Sequence, residues 1–487
     1  MIACSDALNG DSMAFSKVLY FMTMFFTTTS MIAESKTPKI AVVGAGLAGL
    51  TTAYRLQQKG MDVDVYEARS RVGGRILTAK VRGHIAELGG QNITDGGEAK
   101  NMRRLIEELD LELISDTVSL NYAYYTGKEL IFAEQLLRNN PFDPENLRIK
   151  LNKLMQESTT MRDVLRGILE EENPLYKTLA VRLAGYEGAT IEKLSPIYTE
   201  TLYHMLLGGL SAVHQGAGIE TYIDLLSIKG GNALLPEKLA QKLEGKLHLN
   251  TPLKRVSKNL DHTFALTFQD DQIVTADILV LAIPCSVYQE IIFDQNILPL
   301  TRLQDIQKVQ YGTNAKILIP FSAPPPARIG FFNDRLGCFF DVNCNILTLY
   351  YTDITSRFSA ETIMETYQQD RPMLEIGFGN ALPPFSTPVL AEDQSFASYE
   401  NPVGYSWPND PYAKGSYSYI APGQEAQLTT IKEEQGEKVK VLFAPINQQL
   451  YFAGEHTSIL LEAPGTMEAA CESGERTSRM IINSVNL

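Results

Sequence analysis

The chain has 487 residues, of which 44% are hydrophobic and 21% charged, and this balance predicts a globular protein of two or three domains. Its formal net charge of −14, without any basic run, argues against a nucleic-acid partner. Five cysteines are too few for a disulfide scaffold, and six scattered histidines give no metal-binding signature.

The first 36 residues differ in character from the rest of the chain. Lys17 precedes an apolar run over residues 18–26, and mostly small and polar residues follow up to Ala33. This order resembles a secretory signal, so we expect export to the periplasm or out of the cell. A disordered cytosolic tail and a membrane anchor are the alternatives. The apolar run is short for a membrane span, and the remaining sequence contains no spanning segment.

A glycine-rich loop follows the first predicted strand and opens a predicted helix. Gly44 permits the tight turn, Gly46 lets the backbone approach a pyrophosphate, and Gly49 lets the helix pack closely on the strand. The amino-terminal end of the helix offers free N–H groups and a positive dipole to the phosphates. The pattern therefore predicts cofactor contacts at Gly44, Ala45, Gly46, Leu47, Ala48 and Gly49.

The second predicted strand, residues 61–66, ends at Glu67. A carboxylate at this strand end can accept hydrogen bonds from ribose hydroxyl groups and would repel a 2′-phosphate, which disfavours NADP. The loop from Arg69 to Arg75 then places three arginines and two glycines beside the phosphate site, where guanidinium groups can bind pyrophosphate oxygens. The further contacts expected here are Glu67, Ala68, Arg69, Gly74 and Arg75.

Residues 42–75, with Glu87-Leu88-Gly89-Gly90-Gln91 after them, resemble the flavin-containing amine oxidase family, which includes monoamine, polyamine and L-amino-acid oxidases. The resemblance implies FAD as the cofactor, with Gly90 and Gln91 among its contacts. It also implies an α/β fold in which a Rossmann-type FAD-binding domain is interleaved with an α+β substrate domain, the amine oxidase fold.

Helical and strand-like stretches alternate through the middle of the chain. Residues 98–114 predict an amphipathic helix, residues 133–226 are mostly helical, and strand-like alternation returns from Lys246. The resemblance implies that the backbone at Val256 meets the adenine. It divides the chain into an FAD-binding domain of residues 37–120, 228–300 and 430–487 and a substrate domain of residues 121–227 and 301–429.

A single lysine, Lys316, lies in the apolar stretch from Gly312 to Ile319. A buried lysine is costly without a partner, so this position indicates either a function or a side chain that extends to solvent at a strand edge. In the family that the sequence resembles, a lysine at this place holds a water near flavin N5 and assists the reaction with oxygen.

The stretch from Trp407, the only tryptophan, to Tyr417 resembles the substrate-side segment of the family. There the aromatic residue at the position of Tyr417 forms one wall of a cage in front of the flavin, and a π-face suits an approaching amine. Trp407, Tyr417 and Lys316 are therefore the expected catalytic residues. Ser416 stands where monoamine oxidases carry the cysteine that bonds to the flavin, so FAD is expected to be non-covalent. Thr466 stands in place of their second cage tyrosine, so the resemblance supplies only one of the two aromatic walls of the cage.

Two carboxyl-terminal stretches, residues 451–457 and 465–476, are similar to the flavin segment of amine oxidases. Glu455, at a predicted strand end, can hold ribityl or ribose hydroxyl groups. A helix that starts near Gly465 would direct its positive end at the flavin N1–C2=O edge and stabilise the anionic reduced flavin. The contacts expected here are Gly454, Glu455, Thr466 and Met467.

These features predict an FAD-dependent oxidase that converts a primary or secondary amine and oxygen to an imine or aldehyde, ammonia and hydrogen peroxide. An L-amino-acid oxidase is the nearest alternative, and it would need a cation for the substrate carboxylate; Arg82 and Arg182 are candidates by residue type alone. Lys316 and the Trp407 segment disfavour a desaturase or porphyrinogen oxidase of the same superfamily. The intact motifs disfavour a flavin-binding protein without activity. The expected partners are a small amine and oxygen, and the oligomeric state is open between a monomer and a homodimer.

Overall fold

The computed structural model describes residues 37–94, 97–115, 121–207, 225–243, 245–325, 329–341, 345–460 and 464–485. The signal-like segment of residues 1–36 lies outside them. From Pro38 onwards the chain forms one compact unit. Among the helices of the described residues, none combines the length and apolar content that a membrane span requires.

The helices and strands alternate along the chain, as expected for the α/β class. The helices are α1 (Leu47–Gln57), α2 (Lys100–Glu108), α3 (Ala133–Asn139), α4 (Pro144–Glu157), α5 (Met161–Arg166), α6 (Pro174–Glu187), α7 (Thr199–Leu207), α8 (Leu234–Gln241), α9 (Leu300–Gln307), α10 (Ile363–Phe378), α11 (Glu425–Thr429) and α12 (Met467–Val485). The strands are β1 (Lys39–Val43), β2 (Asp62–Tyr66), β3 (Thr78–Val81), β4 (His84–Glu87), β5 (Leu113–Ser115), β6 (Asn121–Tyr125), β7 (Leu130–Phe132), β8 (Leu226–Ile228), β9 (Leu247–His248), β10 (Leu253–Lys258), β11 (Phe264–Phe268), β12 (Ile273–Ala276), β13 (Ile278–Leu281), β14 (Ile292–Phe293), β15 (Gln310–Tyr311), β16 (Asn314–Pro320), β17 (Ile329–Phe332), β18 (Leu336–Asp341), β19 (Ile346–Thr352), β20 (Val389–Leu390), β21 (Ser398–Tyr399), β22 (Val403–Ser406), β23 (Ser418–Tyr419), β24 (Ile431–Glu434), β25 (Glu437–Lys440) and β26 (Leu450–Phe452).

A parallel sheet with the strand order β26-β13-β1-β2-β9 brings the two ends of the chain together. Val43 pairs with Tyr66 and Leu281, and Leu281 pairs with Phe452 in the next strand. Because parallel strands run in one direction, their carboxyl ends lie at the same edge of the sheet. The glycine loop after Val43 therefore lies at the same edge of the sheet as the Gly454–Glu455 pair that follows Phe452.

Helices α1 and α12 pack directly against each other where a glycine permits close approach. A Cβ atom on Gly474 would lie 2.5 Å from the Ala48 carbonyl oxygen and 2.8 Å from the Thr51 Cβ. Apolar residues of both helices, including Leu50 and Ile481, are fully buried in one cluster with β1 and β2. This packing holds the carboxyl-terminal helix beside the helix that follows the glycine loop.

A second sheet has eight strands in the order β20-β22-β16-β19-β18-β17-β6-β7. Lys316 in β16 pairs with Tyr350 in β19 and with Tyr405 in β22. Helix α6 packs on β19 at Gly185, where a Cβ atom would lie 3.6 Å from the Tyr350 ring. The strands of this sheet fall within the predicted substrate domain, and those of the parallel sheet fall within the predicted FAD-binding domain. The domain boundaries themselves stay a prediction.

The helix predicted over residues 98–114 is shorter than expected. Helix α2 ends at Glu108, and Asp110 has a positive φ of 53°. Residues in this left-handed conformation cannot continue a right-handed helix. Strand β5 then pairs with β8, so the apolar residues beyond Leu109 belong to a small sheet and not to the helix.

Candidate active site

A cavity of about 1080 Å³ is lined by residues of the two sheets and of helices α1, α6, α7 and α12. Its volume is at the upper end of small-molecule sites and leaves room for a dinucleotide together with a substrate. Of the predicted site residues, Ala45, Gly49 and Val256 lie outside its lining. The predicted residues that line it are Gly44, Gly46, Leu47, Ala48, Glu67, Ala68, Arg69, Gly74, Arg75, Gly90, Gln91, Lys316, Trp407, Tyr417, Gly454, Glu455, Thr466 and Met467.

The glycine loop leaves open space at the start of α1. Gly44 has a φ of 105°, and a Cβ atom there would lie 2.5 Å from the Ala282 carbonyl oxygen. A Cβ atom on Gly49 would lie 2.0 Å from the Gly44 carbonyl oxygen, so Gly49 packs behind the loop. At Gly46, in contrast, nothing lies within 4 Å of the equivalent position, and α1 begins there without a side-chain cap. The first turn of α1 therefore faces space that phosphate oxygens can fill.

Glu67 is fixed at the end of β2 by two backbone N–H groups. Its carboxylate accepts hydrogen bonds from Ala45 at 2.6 Å and from Arg69 at 2.9 Å. Burial raises the pKa of Glu67 above the ordinary value, although these bonds oppose the shift. The Ala45 N–H thus holds this carboxylate in place, and Ala45 itself does not line the cavity.

The first two arginines of the loop from Arg69 to Arg75 have acceptors within the protein. Arg69 donates to both carboxylate oxygens of Asp410, at 2.8 and 2.6 Å, and to Asp393 at 2.8 Å. Arg71 donates to Asp393 at 2.6 Å and to the Gly74 carbonyl oxygen at 2.8 Å. Two carboxylates therefore match the charge of Arg69, which also lines the cavity, and its contact with the pyrophosphate stays a prediction.

Val256 does not line the cavity, and the contact of its backbone with the adenine stays a prediction. It is fully buried in β10, where it pairs with Leu266, and its carbonyl oxygen accepts the Asp294 N–H at 3.1 Å. Leu253 and Pro252, at the start of the same strand, line the cavity instead. The ladder shifts register just after Leu253, and the sequence carries no signal of that irregularity.

Lys316 is buried, and its ammonium group donates to three protein acceptors. These are the carbonyl oxygens of Glu87 and Gly89, each at 2.9 Å, and the Gln91 Oε1 at 3.0 Å. A lysine ammonium group has three N–H donors, so these acceptors use all of them. A water held by Lys316, as the resemblance implies, would have to share or replace one acceptor. Gln91 is the acceptor that can move, since it bonds through its side chain.

Trp407 holds the same stretch of chain as Lys316. Its indole Nε1 donates to the Leu88 carbonyl oxygen at 3.0 Å, and its ring packs on Tyr405 with the ring centroids 4.6 Å apart. Trp407 and Lys316 therefore bind three successive carbonyl groups, those of residues 87–89. This stretch continues into Gly90 and Gln91, which line the cavity.

Tyr417 is anchored to helix α6 through its hydroxyl group. The hydroxyl oxygen lies 2.8 Å from the Gly185 carbonyl oxygen and 2.9 Å from that of Tyr186. The Tyr350 hydroxyl lies 3.5 Å away, and Tyr350 lines the cavity as the strand partner of Lys316. Tyr350 is thus a candidate for the second aromatic wall. No local pattern in the sequence distinguishes Tyr350, because it is one aromatic residue among many in a strand.

Thr466 and Ser416 are the two positions at which the sequence departs from monoamine oxidases, in the aromatic cage and in the flavin linkage respectively. Each of them forms a hydrogen bond within the protein. The Thr466 Oγ1 accepts the Ala469 N–H at 3.1 Å and so caps α12. The Ser416 hydroxyl donates to the Asn314 Oδ1 at 2.5 Å. The cysteines that the structure describes are free thiols, namely Cys285, Cys338 and Cys471.

Glu455 lies at the carboxyl edge of the parallel sheet among several donors. The Ser418 N–H donates to it at 3.0 Å, the Ser418 hydroxyl at 2.6 Å, and Arg75 at 3.1 Å. Burial alone would raise the pKa of Glu455, but Arg75, His456 and Ser418 hold it below the ordinary value. Ser418 was missed in the sequence, since a lone serine after a tyrosine carries no signal.

These residues fit an FAD molecule. The open space at Gly46 and the uncapped start of α1 suit a pyrophosphate, which accepts hydrogen bonds from helix N–H groups. Glu67, after β2, and Glu455, after β26, each provide a carboxylate that can accept hydrogen bonds from hydroxyl groups of the cofactor. Two strands of the parallel sheet lie between them. The amino-terminal residues of α12, Thr466 and Met467, line the same cavity.

A family model described as flavin containing amine oxidoreductase matches residues 47–349 and 397–482. An L-amino-acid oxidase of Mus musculus is 24% identical over 94% of this chain and 72% of its own length. The amine oxidase [flavin-containing] B of Homo sapiens is 26% identical over 92% of this chain and 86% of its own length.

Two solved structures share the fold. Cyclohexylamine oxidase from Brevibacterium oxydans IH-35A matches with a TM-score of 0.71 at 19% identity, over 93% of this chain and 100% of that one. Wild-type putrescine oxidase bound to putrescine matches with a TM-score of 0.69 at 18% identity, over 91% and 99% of the two chains. The predicted α/β fold, a Rossmann-type unit interleaved with a second sheet, is thereby confirmed.

Proposed function

Because the chain belongs to the flavin containing amine oxidoreductases and is an FAD-dependent amine oxidase, we propose that it deaminates a primary or secondary amine with oxygen as the electron acceptor. The amine R–CH2–NH2 and O2 give the imine R–CH=NH and hydrogen peroxide. Water then converts the imine to an aldehyde and ammonia. Bound FAD supplies the two-electron chemistry that links the amine to oxygen.

The observation that carries this proposal is the meeting of cofactor-type and substrate-type residues in one cavity. Lys316 and Trp407 hold the backbone of residues 87–89, and the next two residues line the cavity. Tyr417 and Tyr350, with hydroxyl groups 3.5 Å apart, offer aromatic surface to an amine. The proposed roles are positioning for Trp407, shaping of the substrate face for Tyr417, and support of the oxygen reaction for Lys316.

The cofactor contacts are proposed on the same basis. Gly44, Gly46 and the first turn of α1 would receive the pyrophosphate, and Glu67 the adenosine ribose. Glu455 and the start of α12 would face the flavin end. Ser416 carries no thiol, so the FAD is proposed to be non-covalent. Export through residues 1–36 and a homodimer also stay proposals, to be tested by amino-terminal sequencing of the mature protein and by sedimentation.

A screen for hydrogen peroxide tests the activity. Holoenzyme is supplied with monoamines, diamines, polyamines and L-amino acids under air, and oxygen uptake, peroxide and ammonia are measured together. We expect at least one class to give the three in equal amounts, and the apoprotein to give none. Oxygen uptake by no class would contradict the proposal and favour a desaturase-like enzyme or a flavin-binding protein without oxidase activity.

A further inference from the structure

We propose that Asn232 is a positioning residue for the cofactor, because it turns the backbone N–H groups of Gln91 and Asn92 toward the flavin ring. The inference rests on the proposed placement of FAD in the cavity and adds a residue that acts from behind the cavity wall. Asn232 is buried and does not line the cavity. The stretch that it holds, Gly90 to Asn92, does line the cavity.

The side-chain amide of Asn232 has partners at both of its ends. Its Nδ2 group donates to the carbonyl oxygens of Gly90 at 3.0 Å and of Gln91 at 2.6 Å. Its Oδ1 atom accepts the Ile228 N–H at 2.9 Å. An amide nitrogen can only donate and an amide oxygen can only accept, so these partners fix which end of the amide faces residues 90 and 91. The backbone N–H of Asn232 also donates, to the Glu87 Oε1 at 2.8 Å, which fixes the position of the residue itself.

Asn232 completes a row of hydrogen bonds to the backbone of residues 87–91. Lys316 donates to the carbonyl oxygens of residues 87 and 89, and Trp407 to that of residue 88. Asn232 donates to those of residues 90 and 91. Five successive carbonyl groups therefore bond to side chains from three separate segments of the chain, and the peptide groups that contain them have little freedom to rotate.

The direction of these carbonyl groups decides where the following N–H groups point. In a trans peptide the C=O and N–H bonds point to opposite sides. The Gly90 carbonyl group points to Asn232, so the Gln91 N–H of the same peptide points away from Asn232. The Gln91 carbonyl group fixes the Asn92 N–H in the same way. Because Asn232 lies behind the wall, both N–H groups point to the side on which this stretch borders the cavity.

Both N–H groups lack an acceptor within the described part of the chain. The N–H groups of residues 88–90 donate to carbonyl oxygens of residues 75 and 77, whereas no such bond uses those of Gln91 and Asn92. Backbone N–H groups that are shielded from water are rarely left unpaired, so an acceptor atom of a bound molecule suits this place. Two adjacent N–H groups favour an oxygen atom that carries partial negative charge.

The neighbours of the two N–H groups point to the flavin ring as the source of that oxygen. A Cβ atom on Gly90 would lie 3.0 Å from the Met467 Sδ, at the start of α12. The Gln91 side chain accepts from Lys316, the strand partner of Tyr350 on the substrate side. The ring is the part of FAD that has to meet the substrate, and its carbonyl oxygens gain charge on reduction. Donors at this place therefore favour the reduced flavin.

The reduction potential and the absorbance of bound FAD test the role of Asn232. Asn232→Ala removes both donors, and Asn232→Asp removes them while it retains the shape and an acceptor for the Ile228 N–H. In both variants we expect a roughly 10-fold loss of preference for the reduced flavin, which lowers the two-electron potential by about 30 mV. We also expect the visible absorption bands of FAD to shift. Anaerobic reduction of the holoenzyme beside a reference dye measures the potential.

Asn140→Ala is the matched control. Asn140 is half-buried and lies outside the cavity lining, and its Nδ2 group donates to the Leu136 carbonyl oxygen at 2.8 Å. The variant thus also leaves a backbone carbonyl group without its donor. It should lower the unfolding temperature and leave the potential and the absorbance of the bound FAD unchanged.

The outcomes separate this inference from the proposed function. Lower stability of both Asn232 variants with an unchanged potential and absorbance, or an equal shift in Asn140→Ala, would restrict Asn232 to a structural role and overturn the inference. A lower potential in both Asn232 variants alone supports it. Neither measurement involves a substrate, so a failed amine screen beside these shifts would overturn the oxidase proposal and leave the role of Asn232 standing.

Discussion

Burying a lysine ammonium group costs several kcal/mol unless protein acceptors replace its water. Lys316, with 5% exposure, meets this requirement through two carbonyl groups and the Gln91 side chain. In the sequence, a single lysine in an apolar strand indicated that this residue has a particular role. The acceptors come from residues 87–91, in a different part of the chain, and no local pattern reveals them. The residue thus has a structural role in addition to the one proposed with oxygen.

Lys316→Met separates these two roles. We expect reoxidation of the reduced flavin by oxygen to slow roughly 100-fold, because a preorganised charge is removed. We also expect a loss of unfolding free energy of about 1–3 kcal/mol for each carbonyl group left without a donor. Stopped-flow mixing of the reduced enzyme with oxygen measures the first effect, and chemical denaturation the second.

Lys254→Met is the control for that variant, since Lys254 is an exposed lysine in a strand and pairs with Asp271. It should change neither quantity. An unchanged oxygen reaction in Lys316→Met, together with the loss of stability, would restrict Lys316 to holding residues 87–91.

At the scale of single elements, α6 is the helix on which the substrate side depends. It contributes residues to the cavity lining and holds the Tyr417 hydroxyl, and the residue that follows it, Gly188, has a φ of 90°. A Cβ atom on Gly188 would lie 2.9 Å from the Tyr417 Cε2 atom. The helix was predicted from its periodicity, but its apolar pattern did not indicate which face meets a ligand.

Gly188→Ala should therefore lower kcat/KM strongly and the free energy of unfolding only modestly. The left-handed conformation costs a non-glycine residue about 1–2 kcal/mol. The added methyl group also displaces the Tyr417 ring, and an error of this size in a positioning group lowers kcat/KM by up to roughly 100-fold. Steady-state kinetics and thermal unfolding measure the two effects.

Gly60→Ala is the matched control. Gly60 has a φ of 73°, and nothing lies within 4 Å of the added atom. It should show the same loss of stability with full activity. Full activity of Gly188→Ala would show that the proposed function does not depend on the position of the Tyr417 ring.

At the scale of the whole molecule, one cavity joins stretches from the beginning, middle and end of the chain. The parallel sheet brings Gly44 and Glu455 to one edge, and the eight-stranded sheet brings Lys316 and Tyr350 to the other wall. A cofactor bound in this cavity would contact segments that are distant in the chain. Its binding energy therefore contributes to the stability of the folded chain.

Removal of FAD should accordingly lower the unfolding temperature. We expect acid to release all of the flavin into solution, because Ser416 offers no thiol for a covalent bond. Free FAD at a hundred times its Kd should restore about 2.7 kcal/mol of stability. Thermal unfolding of apoprotein during FAD titration measures this. Flavin that stays with the denatured chain would contradict the argument from Ser416, and a constant Tm would contradict binding in this cavity.

Local sequence patterns revealed the features that depend on neighbouring residues. The Gly44–Gly49 pattern, the acidic residue at the end of the second strand and the motif around Glu455 follow from backbone geometry within a few residues, so they were readable in order along the chain. Through the resemblance to the amine oxidase family that these motifs carry, they predicted the fold class, the cofactor and the reaction type. The lysine in an apolar strand was recognisable for the same reason.

Features that depend on residues distant in the chain could be assigned only from the three-dimensional packing. It matched the Arg69 charge with Asp410, placed Leu253 and not Val256 in the cavity lining, and brought the hydroxyl groups of Tyr350 and Tyr417 to 3.5 Å. Charge pairing, strand register and the facing of side chains across a cavity are set by packing between separate segments. No local sequence pattern encodes them.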